Sequence, residues 1–489
     1  MGIDINKTTF TPADYRQFAE ALQDNLVALE GLLATEGFGE GAGSVGAELE
    51  MYIVDKDGYP LHLNQEICDA AEDPQLSLEL NRYNLEYNLS PRTLGDSPFL
   101  GTEREILAKL AQLGELAATF GGRLVSIGIL PTLRQADLGA HCVTDRKRYH
   151  ALVGQLLRRC QQFRIDIDGV DPLQLDMADI TLEGANTSFQ LHYRVQPRHF
   201  ADTFNAIQLM TPLALAMGGN SPTLFGHQLW QETRIPLFKQ SIDTRQVDRY
   251  AWNEPARVNF GQGWVRRGAL ELFAEVVNLY PPLLPICAPR DGGEAGRAPS
   301  LAELRLHQST VWLWNRPVYD CANGGHLRIE MRALPAGPTA VDMVANAAFL
   351  TGLAEGVRGD INRLLPAIPF AMAEYNFYRA AQHGIDAVLV WPDARQSGCD
   401  EQPVATIVER LLPTALKGLD SIGIDAAEAQ YYLGVIERRL ARRQTGASWQ
   451  GAKLASLKQR MPMQVAQQGM LEEFIAYSHS NLPVSEWPL

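Results

Sequence analysis

The sequence predicts an α+β protein with a helical C-terminal region. Three observations carry this expectation. Four strand-like segments place acidic, His, Gln or Arg residues at every second position, amphipathic helices fall between them in no regular alternation, and the chain after about residue 395 reads as helix. From Pro12 to Leu33, Phe18, Leu22, Leu26 and Leu29 recur at helical spacing, and the glycine-rich stretch Gly37 to Gly46 ends that helix. A strand follows over Glu48 to Val54, closed by the Asp57-Gly58 turn. Asn84 to Leu89 predicts a second strand, residues 101 to 119 a helix built on Ile106, Leu110, Leu113 and Ala117, and Arg123 to Ile129 another strand. Ser188 to Val195 alternates again. It leads into a helix from about Phe200 to Met217, the turn Gly218-Gly219-Asn220-Ser221-Pro222, and an irregular stretch to about Asp248. The decapeptide Asp291 to Ser300 predicts a surface lid or connection, and Gly325 to Ala333 a strand. Helices are expected over Val404 to Leu416, Ala426 to Arg443 and Lys453 to Tyr477, and no internal repeat is visible.

The 489 residues carry 43 Lys+Arg against 57 Asp+Glu, a net charge of −14, with 46% hydrophobic and 20% charged residues. Such a chain buries a sizeable core, and disorder, collagen and a disulfide mini-scaffold are excluded. The acidic balance argues against a nucleic-acid partner. Its basic groups, Arg146-Lys147-Arg148 and Arg438-Arg439 with Arg442-Arg443, predict solvated helix faces. Cys68, Cys142, Cys160, Cys287, Cys321 and Cys399 form no C-x-x-C pair, so they predict reduced, mostly buried thiols rather than a zinc ribbon. The N-terminal residues lack a basic segment followed by an apolar run, and apolar stretches such as Leu209 to Met217 fall short of the roughly 20 residues that cross a bilayer. The expectation is a cytoplasmic protein without a membrane partner.

Gly41-Ala-Gly43-Ser-Val-Gly46 matches G-x-G-x-x-G, but it follows a helix and opens a strand, the reverse of a dinucleotide-binding turn. Walker, zincin and nucleophile-elbow motifs are missing. The informative residues lie on strands. Glu48 and Glu50 flank Leu49, so the pleat aims both carboxylates at one side of the sheet. Alone, that pair also suits a solvent-facing strand; facing inward, the two anions need a cation such as Mg²⁺ between them. Glu86 lies in the second strand with Glu79 seven residues earlier, Gln190 alternates with His192, and Arg328, Glu330 and Arg332 alternate in another strand. If the four strands share one sheet, their carboxylates would hold divalent ions while His192 and the arginines meet phosphate oxygens. That is the apparatus of phosphoryl transfer.

Five stretches, Gly46-Ala-Glu-Leu-Glu, Leu85-Glu-Tyr-Asn-Leu-Ser-Pro, Phe189-Gln-Leu-His, Gly219-Asn-Ser-Pro and Leu327-Arg-Ile-Glu-Met-Arg, together resemble the glutamate–cysteine ligase-like carboxylate–amine ligases. His307-Gln-Ser-Thr-Val-Trp ahead of Arg316 is similar to the segment preceding that family's last Glu-x-Arg strand. The resemblance implies a curved, funnel-like antiparallel sheet of the glutamine synthetase and guanidino kinase type with helices outside, Mg-ATP at one mouth and an amino-acid carboxylate beside it. The expected organisation is a catalytic ligase region over residues 1–395, with residues 396–489, which have no clear match to the family, packing on it as helices, and a monomer or homodimer.

Roles follow residue by residue from the resemblance. Glu48, Glu50, Glu86, Gln190 and Glu330, with Glu79, would hold Mg²⁺, or Mn²⁺ as the alternative. His192, Arg328 and Arg332 would meet ATP, with Glu330, His192 and Arg332 acting on the transferred phosphoryl group. Arg245, Arg316 and Asn220 would contact the amino-acid substrate. The implied reaction phosphorylates the γ-carboxylate of glutamate and condenses it with cysteine, the first step of glutathione biosynthesis. Val311-Trp-Leu-Trp-Asn and Leu334-Pro-Ala-Gly-Pro depart from the family pattern, which leaves open a ligase with a different amine. A guanidino kinase-like phosphotransferase, with Cys321 as its reactive thiol, and a non-catalytic binding module are the competing readings.

Overall fold

The computed structural model describes residues 5–245, 254–289, 298–392 and 398–489. Its centre is a seven-stranded antiparallel sheet, numbered here β1 Ser44–Val54, β2 Leu76–Leu78, β3 Asn84–Thr93, β4 Arg123–Val125, β5 Phe189–Val195, β6 Asn315–Asp320 and β7 His326–Met331. The spatial order is β6-β7-β5-β1-β3-β2, with β4 paired to the far end of β1. The fold class is the expected one, a curled sheet with helices around it and a helical C-terminal region. The first helix, Pro12–Leu33, opens on a capping box between Thr11 and Asp14. Gly41 to Gly46 connects it to β1 rather than opening a helix.

Strand alternation divides β1 into two faces with different fates. Leu49 and Met51 point into a core shared with Leu191 and Ile329 of the neighbouring strands and with Leu213, Val344 and Phe349 of helices Phe200–Gly218 and Ala340–Arg358. The opposite face begins polar at Glu48 and Glu50 and turns apolar at Tyr52 and Val54. There Tyr83 and Val125 join Trp449, Phe474 and Trp487 in a second core. The C-terminal region thus plugs one end of the curl, and the carboxylates sit above that plug.

The C-terminal helices are locked in place by close backbone approach. Gly418 of helix Val404–Ser421 lies against Gly352 and Gly356 of Ala340–Arg358, where a methyl group would overlap the Gly352 carbonyl. Gly418→Val is expected to cost about 2–3 kcal/mol by forcing the helices apart, and an unchanged urea midpoint would refute this packing. Helix Ala340–Arg358 is long and apolar enough to cross a membrane, but 94% of its apolar window is buried inside the protein.

Several local expectations need correction. Lys453 to Tyr477 is two helices, Gly446–Lys458 and Met463–Ser480, because Pro462 lacks the N–H that would continue the first. The Arg123 strand ends at Val125 rather than Ile129, and the stretch after Gly218 contains the helix Arg234–Ser241. Arg439 is not on a solvated face: it is 1% exposed and donates to Met217 O, Asn346 Oδ1 and Asp342 Oδ1. All six cysteines are free, but only Cys142 is buried. The loop expected over Asp291 to Ser300 falls, as far as residue 297, outside the described residues.

Candidate active site

Register turns the alternating strands into one row of charges. Across the sheet Arg316 faces Glu330, Glu330 faces His192, Glu48 faces Gln190, and Glu50 faces Glu86. Two clusters result, Glu48 with His192 and Glu330, and Glu50 with Glu79 and Glu86. In each, one potential ligand atom per residue lies within 4.8 Å of the others. Either cluster could hold a divalent cation.

The first cluster is tied to arginines. His192 Nε2 lies 3.0 Å from Glu48 Oε1, while its Nδ1 is buried and unpartnered. Glu330, 0% exposed, accepts from Arg316 Nη2 at 3.1 Å and from Arg332 Nη1 at 2.7 Å. Arg332 also donates to Gln190 Oε1. Burial opposes the charge on Glu330, but Arg316 and Arg332 outweigh it and hold the carboxyl well below its ordinary range. Burial likewise opposes the charge on Glu48, and His192 beside it brings the carboxyl down to about 2.

The second cluster has the opposite electrostatics. Glu50 accepts from Ser188 N at 2.7 Å and Gln190 Nε2 at 2.8 Å, yet burial and the charge of Glu86 push its carboxyl up to about 7. Burial and the surrounding carboxylates also raise Glu79 and Glu86, although Ser77 and Asn88 donate to Glu86 at 3.0 and 2.9 Å. Three carboxylates that resist ionisation together are a fit for a cation, whose charge would offset their repulsion.

With Glu50 raised from 4.5 to about 7, the folded protein binds more protons than the unfolded chain across that interval. Stability therefore falls as pH rises from about 4.5 to about 7 in the absence of metal. A cation needs the ionised ligands. Mg²⁺ is expected to raise the melting midpoint more at pH 8 than at pH 5, since only the second cluster gains ligands over that interval; equal shifts at both, read by thermal denaturation, would remove Glu50, Glu79 and Glu86 from the metal assignment.

A cavity of about 450 Å³ opens beside the first cluster. Glu48, His192, Arg316, Glu330 and Arg328 line it, and Arg328 pairs with Asp320 at 3.4 Å. Two expected residues are not brought to the carboxylates. Asn220 is 0% exposed and saturated by protein: its Nδ2 donates to Ala336 O at 2.8 Å and its Oδ1 accepts from Gln450 Nε2 at 2.7 Å. It anchors the Gly219-Asn-Ser-Pro turn to the C-terminal helices rather than facing a substrate. Arg245 is held by Asp243 at 2.6 Å. Cys321 is partly exposed, 3.9 Å from Arg305.

Other groups at the site carry no sequence pattern. Glu183, in a short helical turn before β5, is pushed up to about 7 by burial against the pull of Arg332. Arg234, in a buried ion pair with Glu232 at 3.0 Å, donates to Ala333 O at 3.1 Å, beside Arg332, and its charge bears on Glu50. A short helical turn at Glu183 and the first residue of a helix at Arg234 offer no periodicity to find them by.

A curled antiparallel sheet carrying this row is a fold shared with a solved glutamate–cysteine ligase. The chain belongs to glutamate–cysteine ligase family 2, whose model matches residues 44–474, and its reaction class is that of the ATP-dependent carboxylate–amine ligases. Among solved structures, a glutamate–cysteine ligase from Francisella tularensis in complex with AMP is similar at 11% identity and a TM-score of 0.56, with 90% of each chain covered. A bifunctional glutathione synthetase from Pasteurella multocida is similar at 13% identity and a TM-score of 0.48, over 94% of this chain and 55% of that one. No curated protein matches the sequence significantly.

Proposed function

We propose that the protein uses Mg-ATP to phosphorylate the γ-carboxylate of glutamate and condenses the acyl phosphate with cysteine, giving γ-glutamylcysteine. The observation that carries this reading is the pair of three-ligand clusters on the sheet, next to a cavity lined by Arg316 and Arg328. Glu48, His192 and Glu330 would hold one cation and Glu50, Glu79 and Glu86 another. Such ions bridge phosphate oxygens and neutralise the repulsion between an anionic acceptor and an anionic donor. In this reading residues 1–395 carry the chemistry, and residues 396–489 close the end of the sheet beneath it.

The chemistry balances without an enzyme nucleophile. A carboxylate oxygen attacks the γ-phosphorus and ADP leaves; the amine nitrogen attacks the acyl carbon, inorganic phosphate leaves, and the nitrogen loses a proton. Arg332 and Arg316, which both reach Glu330, would stabilise charge on the transferred group. Asn220 and Arg245 take no part in this assignment.

The test is phosphate release from Mg-ATP with glutamate and a panel of amines including cysteine, with products identified by mass. Amine-dependent release, with a product equal to acid plus amine minus water, is expected. A product with another amine would replace cysteine, and phosphoryl transfer without free phosphate would overturn the ligase reading.

A further inference from the structure

Two carboxamides among the described residues are buried with neither nitrogen nor oxygen hydrogen-bonded, those of Asn84 and Gln308. Asn84 lies two residues from Glu86 on the same face of β3, below the carboxylates. Gln308, 6% exposed, ends the helix Ala302–Gln308 and lines the cavity that holds Arg316 and Arg328. Its neighbours in sequence are both anchored: His307 pairs with Val276 O at 3.1 Å, and Arg148 donates to Ser309 Oγ at 2.9 Å. The backbone at Gln308 is therefore held while its amide is left without a partner.

We propose that Gln308 reads the base of the nucleotide and selects adenine; the inference rests on the ATP-dependent reading above. A carboxamide offers one donor and one acceptor side by side. Adenine presents the complement, an amino donor next to the N7 acceptor, whereas the same edge of guanine carries two acceptors, N7 and O6. An unpaired buried amide is costly, and a base that pairs with both halves removes that cost. Neither amide atom touches solvent, so the side chain meets a base by turning about its own torsions, a motion that no hydrogen bond opposes. Phe273, a buried core residue, backs the same cavity.

The test is equilibrium binding of Mg-ADP, Mg-GDP and pyrophosphate to the full chain by titration calorimetry, for wild type and Gln308→Leu, a variant close in size without the amide. Wild type is expected to bind ADP roughly tenfold or more tighter than GDP. Gln308→Leu should bring the two within about twofold, with pyrophosphate affinity and melting midpoint unchanged. An unchanged ADP preference in Gln308→Leu overturns the inference and leaves the ligase reading standing. Parallel loss of ADP, GDP and pyrophosphate binding assigns Gln308 a structural role and also overturns it. A wild-type protein that binds neither nucleotide overturns both readings.

Discussion

Glu330→Ala is expected to lower turnover by a factor on the order of 10³ or more, the scale on which a charge-stabilising group in a phosphoryl-transfer site contributes. Glu330 is fully buried and joins three functions: it accepts from Arg316 and Arg332, faces His192 across β5, and completes the cluster with Glu48. Its loss leaves two guanidinium groups without their carboxylate, at a cost of about 3–5 kcal/mol. A lower urea midpoint with a single cooperative transition is therefore part of the expectation. Glu330→Gln separates the effects, because it keeps the volume and an acceptor oxygen while removing the charge a cation needs. If phosphate release by Glu330→Gln matches wild type, Glu330 holds no metal in turnover.

Arg332→Ala is expected to reduce kcat by roughly 10³-fold, as removal of an arginine from a transferring phosphoryl group does, while leaving the KM for ATP within a few-fold. Arg332 touches Gln190 and Glu330 and lowers the carboxyl of Glu50, so it stands between the two clusters rather than at the edge of the cavity. Arg332→Lys restores the charge but not the planar fork that reaches two partners at once. It should recover less than a tenth of the lost rate. A large rise in KM with kcat preserved would move Arg332 from the reacting group to simple nucleotide binding.

Much of the site is legible in strand periodicity. Glu48 with Glu50, Gln190 with His192, and Glu330 with Arg332 share a face because the pleat repeats every two residues, whatever the rest of the fold does. Glu79 and Glu183 lack that support, since the backbone turns there and no period applies. Asn220 and Arg439 show the limit from the other side. A polar residue near a turn or on a helix reads as available, but Gln450 and Asp342, far along the chain, arrive to saturate them. The break at Pro462 is local chemistry that apolar spacing alone passed over.

What the sequence determined by itself is the kind of surface each strand presents, polar on one side and apolar on the other, because alternation is a property of the extended backbone. Tertiary structure decided the partnerships. Which carboxylate meets His192, which three crowd until burial raises them, and which arginine stands between the clusters depend on cross-strand register and on the helices that close the curl. Those are set by hydrogen bonding and packing between segments far apart in the chain, such as those carrying Glu48 and Glu330, and no local pattern records them.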